Sequence, residues 1–242
     1  MLVAAAVCPC PPLLVPEVAA GAAPELDVAR AACDEAVREV LAARPDLIVV
    51  VGEGPVTREH GQGAVGSFLP FGVDHEVRLG ALPEDAEAPA DRLPLSLTVG
   101  AWLLTRAGWT GRVQGYEVAG DRPWPSNGED GVHLANRADR VGFLVMGDGT
   151  ACRSLKAPGY LDERAEGVDA AIAEALGNGD RDGFFANLDA DLARELKISG
   201  RSPWQILTSA SASDEDGNED RTWRLLYEDA PYGVGYFAAT WS

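Results

Sequence analysis

Leu2-Val3-Ala4-Ala5-Ala6-Val7 runs into Cys8-Pro9-Cys10-Pro11-Pro12-Leu13-Leu14-Val15-Pro16, and downstream stands Asp46-Leu47-Ile48-Val49-Val50-Val51. The first stretch reads as a strand that ends in a stiff turn, because each proline fixes φ and removes a backbone donor. The chain must leave the sheet there at a defined angle, and that aims the Cys10 side chain. The second stretch shows no polar alternation after Asp46, the pattern of a strand buried on both faces of a parallel sheet. Between them, Leu26, Ala29, Cys33, Val37, Val40 and Leu41 recur at spacings of three or four from a start at Pro24, and Arg44-Pro45 stops that helix. Strand, helix and strand form a βαβ unit, with a right-handed crossover expected.

The same reading extends outward. Strands are expected at Val73–Leu79, Arg112–Val118 and Val141–Met146, and closing antiparallel strands at Trp223–Tyr227 and Gly233–Trp241. Helices are expected at Leu95–Ala107, Glu129–Ala138, Arg164–Leu176, Arg181–Ala186, Asp189–Lys197 and Pro203–Ser209. Gly52 to Pro70 reads as a Gly-rich loop, Gly120 to Gly128 as a turn-rich excursion, Ala81 to Asp91 as an exposed connection and Ser211 to Arg221 as a solvated hairpin loop. The expected fold is one α/β domain over residues 1–242. It has three α/β/α layers, a mixed central sheet with helices on both faces, and C-terminal antiparallel strands.

A chain of 242 residues with 46% hydrophobic content supplies a full core. A net charge of −18 repels nucleic-acid backbones and anionic membrane surfaces, which leaves small molecules or proteins as partners, a second copy of the chain among them. No run reaches the roughly 18 uninterrupted apolar residues of a membrane helix. The apolar opening lacks a basic flank and a small residue before Cys8, so it reads as a strand and not a signal peptide. Four cysteines in this length read as thiols in a reducing cytosol, and a Cys8–Cys10 disulfide across Pro9 would be strained.

In open α/β sheets ligands sit beyond the carboxyl ends of the strands. Three such exits are rich in Gly or Pro: Cys8–Pro12, Gly52–Pro55 and Gly147–Ala151. Pocket-lining residues expected there are Cys10, Glu53, Asp148 and Ala151. Glu53 stands between glycines at the end of a buried strand, where a carboxylate needs water, a cation or donors, and Arg58, Lys156 and Arg201 are candidate counter-ions. Asp148 either orients a pocket group or caps a turn. Trp124, Tyr160, Trp204 and Tyr232 either line an aromatic pocket or pin loops. His60 and His75 fall on or near the Gly-rich stretch and His133 in a short helix, where exposed imidazoles without a special role are the default.

Pro11-Pro12-Leu13-Leu14, Val49-Val50-Val51-Gly52-Glu53-Gly54-Pro55, Gly147-Asp148-Gly149-Thr150, Lys156-Ala157-Pro158, Gly200-Arg201-Ser202-Pro203 and Ala230-Pro231-Tyr232-Gly233-Val234-Gly235-Tyr236 follow one another over nearly the whole chain. In that order they resemble the class III extradiol ring-cleavage dioxygenases, the superfamily of the catalytic subunit of protocatechuate 4,5-dioxygenase, which includes the Memo-like proteins. The resemblance implies a ferrous ion held by two histidines and a glutamate, with a further histidine as acid and base. Carried over position by position, the two ligand histidines fall on Cys10 and Glu53, the acid/base histidine on Ala151 and the glutamate on or near Ile198. None of the four identities is kept. The expectation is therefore an extradiol dioxygenase-like protein without ring-cleavage activity that retains a pocket for a small molecule or a protein and needs no cofactor. The alternative is a metal-dependent oxidoreductase or other enzyme in which Cys10, Glu53 and His60 hold Zn or Fe(II), or Cys10 acts as nucleophile. A structural subunit that pairs with a catalytic partner is a further reading.

Overall fold

The computed structural model describes residues 1–82, 89, 91–212 and 222–242. Its centre is a seven-stranded sheet of order β3-β6-β2-β7-β1-β9-β8. The strands are β1 (Leu2–Cys8), β2 (Leu47–Gly54), β3 (Arg58–His60), β6 (Arg112–Ala119), β7 (Val141–Met146), β8 (Trp223–Asp229) and β9 (Tyr236–Trp241); β4 (Val65–Ser67) and β5 (Glu76–Arg78) form a separate pair. The inner strands β6, β2, β7 and β1 run parallel, while β3, β9 and β8 pair antiparallel at the two sides. β1 and β2 belong to the expected βαβ unit, yet β7 is inserted between them, so the crossover spans two strand positions.

The helices are α1 (Pro16–Ala19), α2 (Asp27–Ala42), α3 (Leu95–Arg106), α4 (Trp124–Ala135), α5 (Arg164–Asn178), α6 (Phe184–Asn187), α7 (Ala190–Leu196) and α8 (Arg201–Ala212). Strand alternation divides the interior into two cores. Ala4, Ala6, Ile48, Val50, Leu144 and Met146 point to one side, against Ala29, Cys33 and Val37 of α2 and Leu97 and Ala101 of α3. Ala5, Val7, Val49, Val51, Phe143 and Val145 point to the other, against Ile172 and Leu176 of α5 and Trp204 and Leu207 of α8. Both faces are covered, which is why the strands carry no polar alternation, and the domain has three α/β/α layers as expected.

Several boundaries move. Ala20–Leu26 coils as a 3-10 segment containing Pro24, so α2 begins at Asp27. α4 starts at Trp124, with Pro125 seated in its first turn where its missing donor costs nothing, and so consumes half of the expected turn-rich excursion. The stretch read as a Gly-rich loop contains β3 and β4, and the strand expected at Val73–Leu79 narrows to β5. The expected connection at 81–91 and hairpin loop at 211–221 lie almost wholly outside the described residues; Ser211 itself belongs to α8. Among the described residues no helix is long and apolar enough to cross a membrane.

Candidate functional site

Parallel β1, β2, β6 and β7 deliver four loops to one end of the sheet, and the loop between α7 and α8 closes over them. The closure is held by backbone. Gly147 N–H donates to the Cys8 carbonyl at 3.1 Å, Gly200 N–H to the Asp148 carbonyl at 3.0 Å and Ala151 N–H to the Leu196 carbonyl at 2.9 Å. A side chain on Gly147 would meet the Gly200 backbone at 2.4 Å, so the β7 exit and the α7–α8 turn are in direct main-chain contact. Behind them Asp169 of α5 fixes the β7 loop, its Oδ1 accepting from Thr150 N–H at 2.8 Å and its Oδ2 from Thr150 Oγ1 at 2.9 Å and Arg153 at 3.1 Å.

A cavity of about 370 Å³ opens under this turn. Cys10, Glu53, Asp148 and Ala151 all line it, with Ser96, Lys197, Ser199 and Tyr236, between apolar walls of Pro11, Pro12, Leu95, Pro158 and Val234. A second hollow of about 440 Å³ adjoins it, formed by the β2 and β6 exits and α7, and shares Glu53, Lys197 and Ser199 with the first. Ile198 is buried and lines only the second. Larger than either is a cavity of about 590 Å³ between β5 and the end of α3, lined by Trp102, Arg106 and Trp109, but it lies away from the strand ends.

Asp148 orients rather than merely caps. Its Oδ1 accepts from Cys10 N–H at 2.8 Å, its own backbone N–H donates to Ser199 Oγ at 2.9 Å, and three loops are thereby tied at one residue. Burial pushes the Asp148 carboxyl up to about 7, against which the Cys10 amide and thiol pull it down. Glu53 likewise rises to about 7 through burial, opposed by the Arg201 charge and assisted by Asp121 and Asp148. Its carboxylate rests where a side chain on Gly120 would stand, 2.7 Å from that Cβ position, and makes no hydrogen bond or ion pair among the described residues. The Cys10 thiol is pushed well above its ordinary value by burial and by the Asp148 and Glu53 carboxylates, so it stays a neutral thiol.

Of the candidate counter-ions, Arg201 is the one near Glu53. Its guanidinium is buried and spent on carbonyls: Nε donates to Leu188 at 2.7 Å, and Nη1 to Gly120 at 3.2 Å and Arg122 at 3.0 Å. Arg58 pairs instead with Glu117 at 2.9 Å, and Lys156 lines neither hollow. Trp124, Tyr160, Trp204 and Tyr232 line neither: Trp204 is core, while Tyr160 and Tyr232 are exposed.

His60 is not an exposed loop residue. It is 2% exposed on β3, its Nε2 lies 2.8 Å from Glu117 Oε2, and its Cβ packs against Gly115. Burial alone would raise Glu117, but Arg58, His60 and the Val56 amide hold its carboxyl below the usual range. His60 therefore belongs to a structural cluster and does not line the cavity of Cys10 and Glu53.

The donor set decides what this cavity can hold. It presents a neutral thiol and two carboxylates and no imidazole, and among the described residues no group of three or more His, Cys, Asp or Glu is placed to hold a metal ion. A ferrous centre of two imidazoles and a carboxylate does not fit these residues, and the Cys10, Glu53 and His60 set is not brought together. Sequence reasoning missed Ser96, Lys197, Ser199, Tyr236 and Glu117. Ser199 stood beside the placement at Ile198, and Tyr236 closes a quoted motif, so local signals for both were present.

No family model matches the chain, and no curated protein matches it. Among solved structures, the fold is similar to that of the uncharacterized protein JW3007 from Escherichia coli K12. The two share 14% identity and a TM-score of 0.52, over 98% of this chain and 99% of that one. This likeness concerns the layered α/β fold alone.

Proposed function

We propose that this chain is an extradiol dioxygenase-like protein that holds a small molecule at the exits of β1, β2 and β7 and does not open aromatic rings. One observation carries the reading: Cys10, Glu53 and Ala151, the positions where the resemblance implies histidines, converge on a single cavity of about 370 Å³. The cavity has room for a small molecule, yet Ala151 cannot move a proton and the remaining groups cannot reproduce an imidazole pair. Catalysis by a Cys10 nucleophile is disfavoured by the same geometry, since the thiol is buried beside two carboxylates that oppose its ionisation. Cys8, Cys10, Cys33 and Cys152 are all free, which supports placing the chain in a reducing cytosol.

The test is an oxygen-consumption and absorbance assay of the purified chain, loaded anaerobically with ferrous salt and then given catechol or protocatechuate in air. The expected result is no ring-opened product above the rate of ferrous salt alone. Catalytic turnover that disappears in Glu53→Gln would overturn the reading.

A further inference from the structure

Glu53 and Lys197 are charges of opposite sign that line the same two hollows. Glu53 is half-buried and Lys197 exposed, and neither side chain has a hydrogen bond or ion pair among the described residues. Of the neighbouring charges, Asp148 accepts from Cys10 N–H, Arg201 donates to three carbonyls and Arg194 pairs with Asp191 at 2.7 Å, while Asp121 lines the second hollow with no side-chain partner among the described residues. Two further details mark the pair. Gly120 leaves the space that the Glu53 carboxylate fills. Lys197 ends α7 in the left-handed region at φ 58°, where glycine is the usual residue, so a long cationic side chain is kept at a position that disfavours it.

A ligand that satisfies both groups must carry a cation and an anion together. The rest of the wall, Pro11, Pro12, Leu95, Pro158 and Val234, offers apolar contact and asks for an apolar side group. Resting on the reading of this cavity as a small-molecule site, we propose that it binds a small zwitterion of the amino-acid type with an apolar side chain, its ammonium on Glu53 and its carboxylate on Lys197. A simple amine would leave Lys197 unanswered. A simple carboxylate could pair with Lys197 but would add a negative charge beside Glu53 and Asp148 and leave Glu53 unanswered, so selectivity for the doubly charged form follows from the wall itself.

The experiment is titration calorimetry of the full chain with phenylalanine, leucine and methionine, each beside its decarboxylated amine and its deaminated acid. At least one amino acid is expected to bind ten-fold or more tightly than either of its singly charged relatives. Glu53→Gln and Lys197→Met are each expected to weaken it at least ten-fold while keeping the native circular dichroism spectrum, and Lys156→Met, outside both hollows, is expected to change nothing. The proposal is overturned if none of the three amino acids binds, if an amine or acid matches its parent, or if both site variants bind as the parent chain does. Failure here is separable from failure of the broader reading. Uncharged benzyl alcohol bound in a manner lost with a bulky Ala151→Trp change would keep the cavity and remove the zwitterion, whereas ring-cleavage turnover would remove the broader reading whatever the amino acids do.

Discussion

The backbone N–H of Cys10 donates to Asp148 Oδ1 at 2.8 Å, across 138 positions of sequence. That bond joins the exits of two adjacent parallel strands, and the Asp148 amide extends the tie to Ser199. Replacing Asp148 with alanine leaves the Cys10 donor unsatisfied in a buried place, a loss of about 1–3 kcal/mol. Asparagine keeps an acceptor and removes a buried charge, so Asp148→Asn is expected to be markedly less destabilising than Asp148→Ala. Urea midpoints for the two variants decide it; equal losses would mean that the charge, and not the acceptor, holds the loops.

Glu53 gives the site a pH dependence whose sign is fixed. Its carboxyl sits near 7 in the folded chain against an ordinary 4.5, with Arg201, Asp121 and Asp148 as the charges acting on it. Between those two values the folded chain keeps a proton that the unfolded chain has released. The contribution is thus fully present below about pH 4.5 and is lost as pH rises through 7. Glu53→Gln removes this term, and the variant is expected to match the parent near pH 4.5 and to exceed it by on the order of 2–3 kcal/mol at pH 8. Parallel denaturant curves at the two pH values measure the difference, and a constant offset would show that Glu53 ionises as freely folded as unfolded.

Cys10 supplies a chemical test of the same environment. Its thiol is buried and opposed by two carboxylates, so at pH 7.5 the native chain is expected to react with iodoacetamide at Cys10 at least ten-fold more slowly than a short peptide thiol does. Peptide mapping by mass spectrometry after timed quenches reads the rate, and unfolding in urea is expected to restore it. Preferential native labelling of Cys10 would return the nucleophile reading to consideration.

What the sequence made legible follows from which forces act locally. Val141–Met146 was readable to the residue because a strand buried on both faces shows no other pattern, and α5 and α8 were visible through their apolar spacing. β3 was not readable. Its three residues carry Arg58, Glu59 and His60, and only the antiparallel partner β6 makes a strand of them. The same long-range pairing buries His60 against Glu117, which no local signal announces. At the site, the strand-exit rule and the quoted motifs led to Cys10, Glu53, Asp148 and Ala151. Lys197 and Ser199 escaped because they reach the cavity through the turn between α7 and α8, a placement set by the Gly147–Gly200 contact.

That contact is itself testable by comparing two glycines. At Gly147 an added methyl would stand 2.4 Å from the Gly200 Cα and 3.1 Å from its nitrogen, main-chain atoms that cannot swing aside as a side chain can. Gly147→Ala must push the α7–α8 turn away, strain the Asp148–Ser199 bond and cost about 3 kcal/mol by overpacking. Gly167 lies on the exposed face of α5 with nothing within 4 Å of its Cβ position. There the same change removes backbone freedom from the unfolded chain, and Gly167→Ala is expected to stabilise by about 0.5–1 kcal/mol. Thermal melts of both variants give the opposite signs directly. Because Ser199 and Lys197 ride on the displaced turn, Gly147→Ala is also expected to weaken any ligand of the cavity while Gly167→Ala leaves its affinity unchanged; a Gly147→Ala chain that melts and binds like the parent would show that the turn is not seated on the β7 exit.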